Sequence, residues 1–255
     1  MKHSQQLDDE IAAKYQLEHI ETKLNLGKRE GVEAELVELL TKVPSTRDLQ
    51  QAISLLMKVC ESPSDQGALE RLTFDQLVNI APQVSLSRNW QQFVGRKFTE
   101  FSTGQLTEAI KNDFGVVLVL IGSGNHESLI VALEESGYLE TSDIAYHFNY
   151  AMAKWAQDET PDKNAFRKVL ELDSAEPQRN DANYQQCLAL SAFVVGDIAH
   201  AKDRLEHASE LAGNFTLHTF SCWQYLDVGR TAFLTDLAEL GRLIDGEHLL
   251  PAFMR

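Results

Sequence analysis

Apolar residues recur along this chain at intervals of three and four, the spacing that gathers side chains on one face of an α-helix. The first stretch carries Leu7, Ile11, Tyr15 and Ile20 and stops at Gly27. Val32, Leu36, Leu39 and Leu40 continue the pattern to Pro44, which lacks the N–H a helix interior needs. Ser45 and Thr46 offer caps for a third helix with Leu49, Ile53, Leu56, Met57 and Cys60 on its apolar face. Shorter segments follow at 68–72 and 74–80. Ser87 then offers a cap for a helix presenting Trp90, Phe93, Val94, Phe98 and Phe101.

Beyond residue 105 the punctuation is more regular. Residues 106–121 read as one helix with an apolar C-terminal half, ended by Gly122-Ser123-Gly124, and 127–135 as its partner, ended by Gly137. Ser142 or Asp143 opens a helix through Trp155, and Pro161 precedes another over 162–172. After a polar break at 177–180, helices over 182–195 and 197–211 are separated only by Gly196. Residues 215–228 and 231–244 repeat that arrangement around Gly229, and the apolar tail 246–255 is expected to cap the last pair. The run Val116 to Ile121 is continuous and β-branched, as a buried parallel strand would be. No second such run exists to pair with it, and the glycines after it lack the spacing of a phosphate loop, so a buried helix is expected.

The turns at positions 124, 158, 196 and 229 fall about 34 residues apart. Gly196 is followed at fixed offsets by Ala201, Leu205 and Ala208, Gly124 by Leu129, Leu133 and Ser136, and Gly229 by Leu234, Ala238 and Gly241. Gly27 with Val32, Leu36 and Leu39 fits the same frame. In the clearest unit, 183–208, Leu188 and the small Ala189 let two helices approach, and the glycine permits a left-handed turn. These residues resemble the tetratricopeptide repeat. The resemblance is strongest over 180–212, extends more loosely across 105–245 and fades before that. It departs from the family at Gln185, Ala192 and Gly213, where a large aromatic, a tyrosine and a proline are usual. It implies an all-α fold, a right-handed superhelix of stacked antiparallel helix pairs (an α-solenoid). The expected organisation is an N-terminal helical region over 1–104, repeats over 105–245 and a capping tail over 246–255.

Composition narrows the function classes. With 44% hydrophobic and 24% charged residues most of the chain should fold. A net charge of −15 disfavours nonspecific attraction to nucleic acid or anionic lipid, which needs clustered Lys and Arg. The longest apolar run is far short of the ~20 residues a membrane-spanning helix requires, and no signal-peptide core follows Met1. Cys60, Cys187 and Cys222 are widely spaced on helical patterns and read as buried hydrophobes in a reducing cytoplasm.

No catalytic, cofactor-binding or metal-ligating constellation is expected. His200 and His207 lie two turns apart on one helix face with Arg204 between them, whereas helical metal pairs sit one turn apart. Asn125, His126 and Glu127 are explained by a helix cap. Ser123 lacks the spacing of a nucleophile elbow. Arg242 and His248 have a loose spacing seen in some helical ribonucleases, which arises readily by chance. The aromatic groups at 90–101, 138–155 and 215–225 read as helix-packing core. The resemblance therefore implies a non-catalytic scaffold or adaptor that takes a partner peptide or helix on a concave face. That face would be built from the first helix of each pair, with Asn149, Lys154, Gln185, Gln186, His218 and Gln224 as candidates by position. The acidic charge predicts a basic or mixed protein partner and salt-sensitive association, with neither nucleic acid nor membrane as target. The alternatives are a regulator sensing a small ligand or peptide, and a helical enzyme or its accessory subunit.

Overall fold

The computed structural model describes residues 2–40, 46–59, 72–84, 88–175, 182–211, 240–242 and 244. These form twelve α-helices: α1 (Lys2–Asn25), α2 (Val32–Leu40), α3 (Thr46–Val59), α4 (Phe74–Val84), α5 (Arg88–Phe98), α6 (Thr103–Asn112), α7 (Gly115–Gly122), α8 (His126–Ser136), α9 (Ile144–Asp158), α10 (Lys163–Ala175), α11 (Ala182–Val195) and α12 (Ile198–Leu211). A single 3-10 turn, Tyr138–Glu140, joins α8 to α9, and no strand occurs among the described residues. The protein is all-α there, and no described helix is long and apolar enough to cross a membrane.

The helices end where the sequence supplies left-handed residues and side-chain caps. Gly27, Gly124 and Gly196 all have positive φ. Each closes its helix with the same pair of backbone bonds. At the last of them, Gly196 donates its N–H to Phe193 O (3.0 Å) and Asp197 donates to Ala192 O (2.9 Å). This pairing satisfies carbonyls that a helix C-terminus leaves open, and it needs a residue that tolerates the left-handed region. Glu159, at φ +57°, takes that position after α9 without being glycine. Helix starts are held by acceptors. Asp143 receives the N–H of Ala145, Asp162 that of Asn164 and Asp197 that of His200. Thr73 and Gln76 bond reciprocally ahead of α4, forming a capping box.

The chain divides into two compact units, residues 1–102 with 111–119, and 103–110 with 120–255. In the first unit α1 packs on α2 and α3, α3 on α4, and α4 on α5. Leu17, Ile20, Leu36, Leu40, Ile53, Leu56, Trp90 and Phe98 are fully enclosed, each a side chain whose burial stabilises by roughly 1.5–3 kcal/mol. Phe74 meets Phe98 and Phe101 edge-on. The buried face of α1 differs in part from the expected one. Ile20 goes inside as expected, together with Ala13 and Leu17, whereas Ile11 and Tyr15 are 47% and 69% exposed. Helical spacing fits either grouping, and packing on α2 and α3 goes with the buried one.

Residues 106–121 are likewise two helices rather than one. The break falls at Asp113-Phe114, where the Asp113 carboxylate accepts the N–H of Gly115 (2.7 Å) and starts α7 as a cap. Gly115 lies against the backbone of Ala81 and Pro82 of α4. Proline inside α4 has no N–H to satisfy there, and glycine has no Cβ to obstruct, so the two segments approach at van der Waals range.

In the second unit α8, α9, α10, α11 and α12 each pack on the next, and α9 also packs on α11. Tyr138 stacks on Tyr146 with ring centres 3.9 Å apart, and Phe166 of α10 meets both Phe148 and Trp155 of α9 edge-on. Leu188, Ala189, Ala201 and Ala208 are fully buried between neighbouring helices. Leu240 and Ile244 are buried as well, and Gly241 lies beside Leu205 of α12. Cys187 is buried, whereas Cys60, Cys222, the aromatic group at 215–225, Gly229 and the tail 246–255 lie outside the described residues.

Candidate functional site

Besides Thr107 on α6, the buried polar residues described in the second unit lie on α9, α10 and α11: His147, Asn149, Asp173, Gln185, Gln186 and Ser191. Asp173, near the C-terminal end of α10, is buried and would be strongly disfavoured as an isolated charge. Arg204 of α12 answers it, donating from Nη2 to Asp173 Oδ2 at 2.8 Å. The same guanidinium donates from Nη1 to Gln185 Oε1 of α11 (3.1 Å) and from Nε to His200 Nε2 one turn earlier (2.9 Å). In this contact His200 Nε2 is the acceptor, since the guanidinium N–H can only donate. One planar cation thus ties three helices, and its fork geometry suits arginine and not lysine.

A second constellation sits nearer the surface. Tyr150 of α9 donates its hydroxyl to Glu134 of α8 (2.7 Å), and Lys154, one turn on, lies over the Tyr150 ring at 5.6 Å. Burial, the Glu134 bond and the charges of Glu134 and Asp162 push the phenol up to about 12. The ring is fixed from both sides, and a half-exposed aromatic held in this way loses little freedom when a partner covers it. At the turn before α8, the Asn125 amide donates to Ser123 Oγ (2.7 Å) and makes no side-chain cap bond to the helix. Burial pulls His126 below its ordinary value and favours the neutral ring.

The residues expected on a partner-facing surface divide. Lys154 is half-buried beside Tyr150. Asn149, Gln185 and Gln186 are interior, because α9 and α11 are covered by neighbouring helices on the side where these residues lie. Asn149 donates to Ala145 O of its own helix. Gln185 is bound to Arg204, and among the described residues neither side-chain amide atom of Gln186 has a hydrogen-bond partner. His218 and Gln224 lie outside the described residues. His200 and Arg204 share a face, as their spacing requires, and Arg204 uses it to bond His200 and Asp173. Asp173 is not legible in sequence as a site residue: it is one carboxylate among 38 acidic residues, and only the fold brings Arg204 to it from 31 positions away. Among the described residues no three His, Cys, Asp or Glu side chains gather where they could hold a metal ion. No protein-family model matches the chain, and neither curated proteins nor solved structures give a match.

Proposed function

We propose that this chain is a non-catalytic scaffold of stacked helix pairs, resembling tetratricopeptide arrays, that binds a partner peptide or helix. The observation carrying this reading is the recurrence of one helix-ending geometry. Left-handed residues end α7, α9 and α11 at 124, 159 and 196, roughly one repeat length apart, and Gly137 ends α8 in the same conformation. The packing of α9 on α11 as well as on α10 supports a stack in which first helices meet first helices, the arrangement of a right-handed α-solenoid. In such an array the first helices supply the concave face. With Asn149, Gln185 and Gln186 inside, that face on α9 falls to Tyr150 and Lys154, a tyrosine and a cation of the kind that anchor interfaces. The net charge of −15 favours a basic or mixed partner.

The test is affinity capture of the tagged full chain from native lysate at low and high salt, read by mass spectrometry. A stoichiometric protein partner that leaves at high salt is the expected result. Retention of no protein together with a co-purifying small molecule would replace the scaffold with a ligand-sensing regulator.

A further inference from the structure

Helix α1 carries apolar residues on two opposite faces. Ala13, Leu17 and Ile20 are buried on the side that packs on α2 and α3. Ile11 and Tyr15 stand about half a turn away around the helix and are 47% and 69% exposed. Leu26 continues this outer stripe, its N–H still bonding Thr22 O (3.1 Å) and its side chain 67% exposed. Thr22 lies on the same face and is exposed, and its hydroxyl donates to Glu18 O of its own helix (2.8 Å). Covering Thr22 therefore strands no polar group. Single exposed apolar side chains are ordinary, but these residues share one sector of the helix. From Ile11 to Leu26 the stripe runs about 22 Å at the ~1.5 Å rise of a helical residue.

The charges at its two ends say what fits it. The N-terminal half of α1 contains Asp8, Asp9 and Glu10. Just past its C-terminal end stand Lys28 and Arg29, both exposed and followed by Glu30, while Lys23 is already taken by Glu35 at 2.7 Å. We propose that this face of α1 pairs with α1 of a second copy of the chain, antiparallel about a two-fold axis between Glu18 and His19. In that register Ile11 faces Leu26 of the other copy, Tyr15 faces Thr22, and each Glu18 comes beside the other copy's His19. The acidic 8–10 segment of each copy then meets the basic end of the other. Every contact is made twice, as a two-fold interface requires. A parallel pairing would set like charges together at both ends. The pairing belongs to the first unit and goes beyond the scaffold reading, which concerns α9 of the second.

Sedimentation equilibrium of the full chain measures the pairing. Wild type should show twice the mass of one chain. Tyr15→Glu and Ile11→Lys should each sediment as a single chain, because a charge on the stripe must lose its water when two copies meet. Both positions are exposed, so circular dichroism should show unchanged helix content. Lys28→Glu with Arg29→Glu should weaken association by about tenfold or more, since it sets acid against acid. Adding Asp8→Lys and Asp9→Lys to that same chain should restore it. A single-chain mass for wild type at every concentration overturns the proposal and leaves the stripe to a different protein or to another segment of this chain. A mass above two chains overturns it too, as does a dimer that Tyr15→Glu and Ile11→Lys leave intact. Should the chain with both ends reversed associate as weakly as the one with Lys28 and Arg29 reversed, the antiparallel arrangement fails.

Discussion

Gly115→Ala separates local helix preference from close packing, because the two act in opposite directions. Alanine in place of glycine inside a helix ordinarily stabilises by up to about 1 kcal/mol. At Gly115, however, an added Cβ would meet Pro82 N at 2.7 Å, Asp113 Oδ1 at 2.9 Å and Ala81 C at 3.0 Å. Two of these atoms are α4 backbone, which cannot turn aside as a side chain can, and the third is the carboxylate that caps α7. Overpacking of this kind costs about 1–3 kcal/mol and here also pushes on the cap. The clash is the larger effect, so net destabilisation of about 1–2 kcal/mol is expected. Gly104→Ala is the control. Gly104 lies in α6, and a Cβ added there would have nothing within 4 Å, so the same change should be neutral or stabilising. Urea unfolding followed by circular dichroism reads both, as shifts in midpoint at constant slope. A Gly115→Ala protein as stable as Gly104→Ala would refute the close approach of α7 to α4.

Three further outcomes follow from the second unit. Arg204→Ala leaves the buried Asp173 without its cation and should cost about 3 kcal/mol or more, whereas adding Asp173→Leu should recover much of that loss in a denaturation cycle. His126 is held neutral by burial, with its folded value below 6.5. Its contribution to stability is therefore complete above pH 6.5 and lost as pH falls towards the folded value, so His126→Gln should flatten the acid limb of a stability–pH curve. Tyr150 is shifted the other way. Absorbance titration should show one phenol ionising near 12, absent in Tyr150→Phe and moved towards 10 in Glu134→Gln. Its contribution is complete below pH 10 and disappears as pH rises through about 12.

The helices are legible because caps and glycines write their ends into the sequence. Asp143, Asp162 and Asp197 are short acceptors just ahead of apolar periodicity, and Gly196 leaves only one turn between two such runs. The stretch 106–121 passes for one helix because periodicity continues across Asp113-Phe114. Only the capping bond to Gly115 and the contact with Pro82, 33 residues earlier, reveal the break. Helix α1 shows a related limit. Two apolar stripes with the same spacing run along it, and which goes inside depends on where α2 and α3 dock. The candidate site is harder still. Sequence position places Gln185 and Gln186 on a first helix, but their direction depends on how α11 meets its neighbours. Likewise, no local pattern pairs Asp173 with Arg204.

The scaffold account turns on where a partner lies. The most direct measurement is capture at low salt with an amine-reactive cross-linker, followed by peptide mapping of the linked lysines. The account predicts partner cross-links at Lys154 on α9, diminished when salt is raised before cross-linking. Partner cross-links confined to Lys14, Lys23 and Lys28, on and just after α1, with none at Lys154, would contradict it.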